Sequence, residues 1–565
     1  MPDRPALGVL THGSLGQGVQ MKLDARRSVE TLRAGTFVVV EGEQFDFFSL
    51  ITDLEIAAAN EDILLHPPAP EATLLREVLR GAATYATVSL KPMLMLPRGS
   101  GRGGGDEEPQ PVKTVPAHFA PVGEATADDV ARVFASEAQD PQRYFEIGAP
   151  VGMDETPVCL DLQRFVERSN AVFGKTGTGK SFLTRLLLCG AIRTGKAVNL
   201  VFDMHNEYGF TAMQETADGQ GTQTKGLKQL FPSKVHVFSL DPASTRRRGK
   251  QPDVEVHLYA DQIEPEDILP LSDTLNLTAT ATESTFQLKK HYKDRWLVTL
   301  LDASAEEIES IAEVTGAHAG SLLALKRKLD RLSGLPFFRM EPRGNRIDIL
   351  DQLLESIDGG KSVVFEFGKF NSLLIYLLVA NVLTRRLRDR YERKYEDYER
   401  TGNEADKPTQ LLITIEEAHK FLGPATARET PFGKIAREMR KFSVSLLIVD
   451  QRPSGIDEEV LSQIGTKIVA QLSDEKDIAA ALVGTPGAGA LRKILATLDS
   501  KQQVLGFGHA FRMPIQLTTR TYGPDFFAAM REPLAAAGQD RSASGDGAAV
   551  RYEDTQAQTD DLFGF

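Results

Sequence analysis

A glycine-rich stretch from Asn170 to Phe182, with the sequence NAVFGKTGTGKSF, constrains the fold of this chain more than any other feature. Within it, residues 174–181 fit the spacing G-x-x-x-x-G-K-[ST], in which glycine turns direct successive backbone N–H groups at phosphate oxygens. An apolar run precedes the glycines and a helical pattern follows them. The stretch therefore predicts a strand, a phosphate-binding loop, and a helix whose positive N-terminal end lies under the phosphates. The alternative is a glycine-rich turn before an ordinary helix.

This loop predicts ATP and Mg²⁺ as cofactors. Lys180 is expected to reach the β- and γ-phosphates, and the hydroxyl of Ser181 is expected to bind Mg²⁺. The predicted cofactor-binding residues are Gly174, Lys175, Thr176, Gly177, Thr178, Gly179, Lys180, Ser181 and Phe182. Hydrolysis additionally needs a metal-binding acid and a group that activates water, so both must come from other parts of the chain.

Composition favours a multidomain cytoplasmic protein. A chain of 565 residues is expected to form roughly three or four domains. Two cysteines fit a reducing compartment, and the N-terminal sequence lacks the pattern of an export signal. The longest apolar stretch, Leu373–Ala380, is too short to span a membrane. The net charge of −13 argues against a surface covered with nucleic-acid contacts, although a local basic channel needs only a few lysines and arginines.

The order of strand and helix patterns predicts an α/β fold with three structural parts. Short β-type runs broken by glycine and aspartate indicate an N-terminal β-barrel, and alternating strands and helices then indicate a parallel sheet covered on both faces. Strand-like runs are largely missing from residues 261–348, where helical patterns dominate, and this indicates an inserted α-helical subdomain. The predicted divisions are a barrel in 1–145 with a Gly-rich loop at 97–111, a nucleotide-binding core in 146–260 and 349–525, a helical insertion in 261–348, and an extension in 526–565 that is expected to be disordered from about 534.

A second informative stretch, Leu411–Lys420, reads LLITIEEAHK and places two carboxylates at the end of a buried strand. Glu416 occupies the position of an acid that holds Mg²⁺, and Glu417, pointing in another direction, could polarise the attacking water. The usual residue at the first position is Asp, so direct contact between Glu416 and the metal is the less certain assignment. Two solvated glutamates at a strand end are the alternative.

Two further stretches, Ser445–Ser454 and Lys434–Lys441, supply polar and basic candidates. Another buried strand ends at Gln451, where RecA-like cores carry a sensor of the γ-phosphate or the attacking water. Arg437 and Arg440 are three residues apart, which predicts one face of a helix. An arginine at a subunit boundary could stabilise charge on the transferring phosphoryl group of a neighbouring subunit. Otherwise this segment is a solvated basic helix face, and Gln451 is an ordinary strand-end residue.

Together these motifs resemble the HerA family of hexameric DNA-translocating ATPases. The resemblance covers most of the chain and depends on the order of the motifs as well as their composition. Besides the P-loop, its motifs are Leu160–Arg168 before the loop, Asp203-Met-His-Asn-Glu-Tyr208, Glu416-Glu-Ala-His419, Arg440-Lys-Phe442 and Gln451-Arg-Pro-Ser454. Asn206 departs from the family, which more often has glycine there, but asparagine tolerates the left-handed backbone that glycine would use.

The resemblance implies a RecA-like P-loop NTPase core with an N-terminal β-barrel and a helical insertion. It also implies a homohexamer around double-stranded DNA, with Arg440 acting on the neighbouring subunit. Family members work with a NurA-type nuclease docked at the barrel in DNA end resection, or with another effector such as a sirtuin-like protein. Candidate pore-lining residues are Lys289, Lys290, Lys293 and Arg246-Arg-Arg248, which could equally be solvated charge clusters.

Two alternatives to the DNA translocase stay open. A coupling ATPase of a conjugation or secretion system would use the same chemistry, although such proteins usually carry membrane spans. An ATPase ring could instead scaffold or gate an associated nuclease or antiphage defence effector. Finally, Asp560-Asp-Leu-Phe-Gly-Phe565 resembles acidic, aromatic peptides that bind a basic, hydrophobic groove, or else it is an unremarkable end.

Overall fold

A computed structural model describes residues 4–59, 62–79, 83–98, 109–214, 222–344, 346–370, 372–427, 430–499 and 502–532, with the side chains of 212–223 excepted. Most of the predicted Gly-rich loop and the whole predicted disordered tail lie outside these ranges. The domain divisions predicted from sequence stay predictions.

The N-terminal strands form a closed barrel. Each strand pairs with two neighbours in the order β2-β1-β7-β3-β4-β5, and β5 pairs back to β2, so the sheet has no free edge at that point. Its strands are β1 Ala6–Ser14, β2 Gly18–Leu23, β3 Phe37–Glu41, β4 Phe45–Ala58, β5 Thr84–Pro97 and β7 Pro121–Glu124, and the short β6, Gln110–Pro111, pairs with β5. The segment 112–120 connects β6 to β7.

A twelve-stranded sheet forms the core, in the order β15-β14-β18-β11-β19-β20-β10-β21-β22-β23-β8-β9. The eight strands from β15 to β21 in this order are parallel, and the remaining neighbours pair antiparallel. The strands are β8 Tyr144–Pro150, β9 Val158–Asp161, β10 Asn170–Phe173, β11 Val198–Asp203, β14 Val235–Ser239, β15 Val254–Glu255, β18 Ser362–Glu366, β19 Leu411–Glu416, β20 Val444–Asp450, β21 Thr466–Ala470, β22 Gln503–Gly508 and β23 Ile515–Thr519. Two further two-stranded pairings join β12 Ala212–Gln214 to β13 Thr222–Thr224 and β16 Leu258–Tyr259 to β17 Phe338–Arg339.

The central parallel strands are buried along their whole length, which explains their continuous apolar sequences. Their register aligns the carboxyl ends: Asp203 lies opposite Glu366, Glu416 opposite Val449, and Asp450 opposite Phe173, the last residue before the P-loop. One edge of the sheet therefore carries the P-loop and the predicted acidic residues together. The α/β fold with an N-terminal barrel predicted from the sequence is confirmed.

Helices cover the sheet and form a separate cluster. The helices are α1 Asp62–Leu65, α2 Thr73–Leu79, α3 Ala127–Phe134, α4 Leu162–Val166, α5 Lys180–Thr194, α6 Leu227–Leu230, α7 Pro242–Arg247, α8 Pro265–Ile268, α9 Ser272–Leu275, α10 Ala279–Tyr292, α11 Trp296–Asp302, α12 Ala305–Thr315, α13 Ala319–Leu329, α14 Ile349–Asp358, α15 Leu373–Thr401, α16 His419–Leu422, α17 Pro431–Glu438, α18 Glu458–Gln463, α19 Glu475–Ala481, α20 Ala488–Ala496 and α21 Pro524–Arg531. Helices α8–α13 pack together around the buried Trp296, whose Nε1 donates to the carbonyl of Ile263 at 2.9 Å. None of the helices in the described ranges has the length and hydropathy that a membrane span requires, including the 29-residue α15.

One local prediction was wrong. Arg437 and Arg440 do not share one face of an α-helix, because α17 ends at Glu438 and Arg440 lies in a 3-10 turn, Met439–Phe442. The turn closes with Ser443 in a left-handed conformation (φ 63°), which directs the chain into β20. Propensity and spacing alone do not show this stop, since every residue from Lys434 to Lys441 is tolerated in a helix.

Candidate functional site

The glycine-rich stretch forms a loop between the buried strand β10 and helix α5. Gly177 and Gly179 have positive φ angles of 81° and 91°, which a side chain would strain. Gly174 is required for a different reason, because a Cβ there would lie 2.8 Å from both the Cβ of Ala470 and the Oγ1 of Thr178. Helix α5 begins at Lys180, so its free N–H groups and its positive dipole face the loop.

Two side chains at the start of α5 are placed to meet phosphate and metal. Lys180 donates from Nζ to the carbonyl of Lys175 at 2.9 Å, which folds its ammonium group over the loop. Burial lowers the pKa of Lys180, although Glu417, Asp450 and Glu416 oppose the shift by favouring the charged form. Ser181 is half-buried in the first turn of the same helix.

Glu416, the last residue of β19, is a buried carboxylate with one unused oxygen. Its Oε1 accepts from the hydroxyl of Tyr208 at 2.8 Å, and its Oε2 is buried without a hydrogen-bond partner among the described residues. Burial, reinforced by the charge of Asp203, raises the pKa of Glu416 to about 8. A buried carboxylate needs a compensating positive charge, and the Glu416 side chain forms no ion pair in the part of the chain that the structure describes. It is therefore suited to bind a metal cation through its free oxygen.

Glu417 faces a different environment from its neighbour. It has a φ of 49°, a conformation that non-glycine residues rarely adopt and that concentrates at functional sites. Its Oε1 accepts from Nε2 of Gln451 at 3.1 Å, and Oε1 of Gln451 accepts from the hydroxyl of Thr176 at 2.6 Å. Gln451 thus joins the predicted base to the P-loop by a continuous chain of hydrogen bonds.

His419 and Asp450 link the ends of β19 and β20 by hydrogen bonds. The sequence alone indicated no role for either residue. Asp450 accepts from the backbone N–H of His419 at 2.8 Å and from its Nδ1 at 2.9 Å. This hydrogen bond raises the pKa of His419, and despite burial the pKa of Asp450 is lowered by the same interaction. Asp450 also accepts from the N–H of Arg452 at 2.7 Å, which fixes the turn that presents Gln451. The sequence feature that could have identified Asp450 is its position as the polar residue that ends the apolar strand β20.

Tyr208 is a third residue whose role the sequence does not reveal, because its motif, Asp203-Met-His-Asn-Glu-Tyr208, indicates only a family resemblance. Asp203 accepts from the backbone N–H groups of Glu207, Tyr208 and Gly209 at 2.8, 2.9 and 3.3 Å. These bonds curl the loop after β11 so that the Tyr208 side chain reaches Glu416. Asn206 has a φ of 57° and therefore adopts the left-handed backbone expected at this position. Asparagine tolerates this conformation, so glycine is not required here.

Aromatic side chains and a buried arginine lie beside the P-loop helix. Arg185 is 2% exposed, and its guanidinium carbon lies 5.2 Å from the ring centre of Phe182 and 5.9 Å from those of Tyr208 and Tyr522. Its Nη2 donates to the carbonyl of Glu207 at 2.6 Å. The rings of Phe182 and Tyr522 lie 6.1 Å apart, so the chain following β23 covers the predicted cofactor-binding Phe182.

The structure does not bring Arg440 into this hydrogen-bonded group. Its side chain is exposed in the turn after α17, and it makes no hydrogen bond or ion pair within the described part of the chain. Arg437, by contrast, is half-buried and donates from Nη2 to the carbonyl of Ala427 at 3.4 Å. Among the predicted residues, those of the P-loop, Glu417 and Gln451 are thus joined within one chain, and Arg440 stands apart.

Residues 145–387 match the family model described as "Helicase HerA, central domain". The central part of this chain is therefore similar to the central domain of HerA helicases. Among curated relatives, the DNA double-strand break repair helicase HerA of Pyrococcus furiosus is 24% identical over 365 residues, 59% of this chain and 61% of the relative. The HerA helicase of Saccharolobus solfataricus is 25% identical over 362 residues, 63% of each chain. The matches therefore span about three fifths of these relatives' length.

Two solved structures to which this chain is partly similar are those of VirB4 and of the coupling protein TrwB. The VirB4 structure from Thermoanaerobacter pseudethanolicus has a TM-score of 0.44 and 14% identity, covering 68% of this chain and 98% of VirB4. The conjugative coupling protein TrwB has a TM-score of 0.44 and 13% identity, covering 73% of this chain and 94% of TrwB.

Proposed function

We propose that this chain is an ATP-hydrolysing motor that moves on double-stranded DNA. The observation that carries the proposal is the hydrogen-bond chain from Thr176 of the P-loop through Gln451 to Glu417. It places a carboxylate at a fixed position relative to the loop that would hold the triphosphate. A DNA helicase is supported by the match of residues 145–387 to the HerA central-domain model and by the names of the curated relatives.

The side chains suggest a division of labour in hydrolysis. Backbone N–H groups of the loop and Lys180 bind the phosphates of ATP, and Glu417 with Gln451 orients a water molecule toward the γ-phosphorus. Water forms the new P–O bond as the bond to the ADP oxygen breaks, and Glu417 accepts the proton that water loses. Ser181 and Glu416 would hold Mg²⁺, which neutralises charge on the phosphates when bound.

We propose that the active form is a homohexamer whose ATP sites are completed by Arg440 of the adjacent subunit. The support is that the guanidinium of Arg440 is exposed and has no ionic partner within the described residues, although it belongs to a motif shared with the family. An arginine finger supplied in trans stabilises charge in the transition state for phosphoryl transfer.

DNA contacts are proposed at cations that the protein does not neutralise itself. Arg246 pairs with Glu255, Arg248 with the buried Glu366, and Lys289 with Glu264 and Asp294. Within the described ranges no acidic partner contacts the exposed Arg247, Lys290 or Lys293. Among the predicted pore-lining residues, these three are therefore the best candidates for phosphate contacts.

A partner is proposed at the barrel, because α1 and α2 bury none of their side chains in this chain. These helices and the adjoining strand expose a group of large aliphatic residues, namely Ile56, Leu64, Leu65, Leu74, Leu75 and Val78. Exposed apolar groups of this size mark interaction sites. We propose a NurA-type nuclease in cytoplasmic DNA end resection as this partner, with an effector that the ring scaffolds or gates as the alternative.

Nucleotide binding and hydrolysis should separate in two variants. Lys180→Ala is expected to abolish binding of a fluorescent ATP analogue, because it removes the ammonium group from the loop. Glu417→Gln is expected to bind ATP normally and to lose at least 100-fold in hydrolysis rate, because an amide cannot accept the proton. A Glu417→Gln protein with the parental hydrolysis rate would overturn the assignment of the base.

A further inference from the structure

A basic cavity with an apolar floor lies at the end of α5 opposite the P-loop. It has a volume of about 360 Å³ and is formed by the end of α5, the connection between α6 and β14, and the end of α21. Leu230, Phe231 and Met530 form the floor, each less than 9% exposed. Since α5 has 15 residues, this cavity is roughly 22 Å from the phosphate-binding end of the helix.

The rim of the cavity is positively charged. Arg193, Lys234 and Arg531 line it, and Glu532 is the single acidic residue among the lining residues. Nε of Arg193 is buried without a hydrogen-bond partner within the described ranges, and Arg531 is exposed with no ionic contact there. Within the described residues, the side chain of Lys234 donates only from Nζ to the carbonyl of Ile192, at 3.3 Å. None of these three cations forms an ion pair with a carboxylate among the residues that the structure describes.

One segment of this chain has the complementary chemistry. Asp560 and Asp561 precede Leu562, Phe563, Gly564 and Phe565, so two negative charges adjoin three large apolar side chains. Acidic side chains suit the arginine and lysine rim, while leucine and phenylalanine suit the apolar floor. The cavity and residues 560–565 are therefore complementary in charge and in apolar character.

The connection between them is long enough for binding within one molecule. Glu532 lines the cavity itself, and 27 residues, 533–559, separate it from Asp560. A random coil of 27 residues has a root-mean-square span of about 30 Å, which exceeds what a return to the same cavity requires. Tethering of this kind raises the effective concentration of the segment to the order of millimolar.

We propose that the cavity between α5, β14 and α21 is a docking site for residues 560–565 of the same chain. The two aspartates meet the rim formed by Arg193, Lys234 and Arg531, and the apolar residues cover Leu230, Phe231 and Met530. Because the site is at the far end of α5, docking leaves the nucleotide site uncovered. The segment instead fixes α21 against the core.

The test is a fluorescence anisotropy titration with a labelled peptide of residues 553–565. The receptor is the full chain with Phe563→Ser and Phe565→Ser, in which the intramolecular competitor is disabled. It is expected to bind the peptide with a micromolar Kd that weakens at higher salt. The unsubstituted chain is expected to bind at least tenfold more weakly, because its own segment occupies the cavity.

Two further substitutions in the same receptor locate the binding. Lys234→Glu is expected to weaken peptide binding at least tenfold, whereas Lys476→Glu, an exposed charge reversal on α19, is expected to leave it unchanged. Retained binding of an ATP analogue confirms that each receptor is folded. Equal peptide binding by the unsubstituted chain, or unchanged binding by Lys234→Glu, overturns the proposal, and so does failure of the folded receptor to bind.

Discussion

Glu416 and Glu417 are adjacent in sequence but differ in environment and therefore in chemistry. Glu416 ends a buried strand and keeps one oxygen without a partner in the described structure, whereas Glu417 turns through a left-handed backbone toward Gln451. Environment separates two identical carboxyl groups into a candidate metal ligand and a candidate base. The sequence predicted the pair, but the contacts that separate the two roles come from Tyr208, after β11, and Gln451, after β20.

Tyr208→Phe tests the support of Glu416. The hydroxyl of Tyr208 is the observed hydrogen-bond donor to this carboxylate, and loss of such a supporting donor typically costs 10–100-fold in metal affinity or activity. We expect hydrolysis to fall about tenfold and to need more Mg²⁺, with ATP binding retained. The measurement is steady-state hydrolysis against Mg²⁺ concentration.

Tyr391→Phe is the matched control, because Tyr391 is equally buried and its hydroxyl lacks a partner within the described residues. It should leave the Mg²⁺ dependence unchanged. If Tyr208→Phe behaves as this control does, the hydrogen bond to Glu416 has no part in hydrolysis.

At the scale of single elements, the buried strands were predictable and the long helix was not. Runs such as Val198–Phe202 and Leu411–Ile415 are continuously apolar because both faces of these strands are covered. Helix α15 continues for 29 residues, yet only its start, Leu373–Ala380, is apolar throughout, and its second half is mostly charged. Its extent depends on packing against other helices, which the local sequence does not reveal.

Tertiary contacts also explain what sequence reasoning missed at the site. Tyr208 is 208 residues from Glu416 along the chain, and Thr176 is 275 residues from Gln451. Each of these residues lies in one of the sequence motifs named above. Which side chain touches which follows from the strand order β11-β19-β20-β10, and spacing within one motif contains no information about that order.

Strand β21 contains a buried lysine that offers a test of the core. Lys467 is 2% exposed, and burial lowers its pKa to about 8. An ordinary lysine pKa is near 10.5, so below pH 8 holding this group in the fold costs about 3 kcal/mol relative to the unfolded chain. Lys467→Met is therefore expected to raise the free energy of unfolding at pH 7 by about 1–3 kcal/mol, part of the gain being offset by the lost bond to the carbonyl of Val483.

The free energy of unfolding should change with pH in a definite direction because of Lys467. The unfolded state binds more protons than the folded state between pH 8 and about 10.5, so the parent protein gains stability as pH rises through that range. The advantage of Lys467→Met should shrink by about half or more at pH 9.5. Urea unfolding at pH 7 and pH 9.5 measures the stability difference between Lys467→Met and the parent protein. The exposed Lys476→Met is the control and is expected to show no change in stability. A Lys467→Met protein that is less stable at pH 7 contradicts the cost assigned to burial.

At the scale of the whole molecule, the proposed ring makes the ATP site a shared structure. Arg440→Ala should give folded protein that binds ATP but hydrolyses it at least tenfold more slowly. Mixing Arg440→Ala with Lys180→Ala chains should restore part of the rate. In a mixed ring, an intact P-loop from the first chain can meet an intact Arg440 from the second.

Hydrolysis by the mixture and by each variant alone measures this effect. Mixing either variant with Lys434→Ala, an exposed substitution on α17, controls for dilution. If the mixture is no more active than the sum of its two components, the cross-subunit role of Arg440 loses its support.

The central claim is that ATP hydrolysis by this chain is coupled to duplex DNA. The most direct measurement is the hydrolysis rate of the full chain across a titration of linear double-stranded DNA, with Glu417→Gln as the inactive control. We expect saturable stimulation of severalfold, which weakens as salt rises because the contacts are to phosphates. An unchanged hydrolysis rate at saturating DNA, in protein that binds and hydrolyses ATP, would contradict the motor account and favour a ring that gates a bound partner.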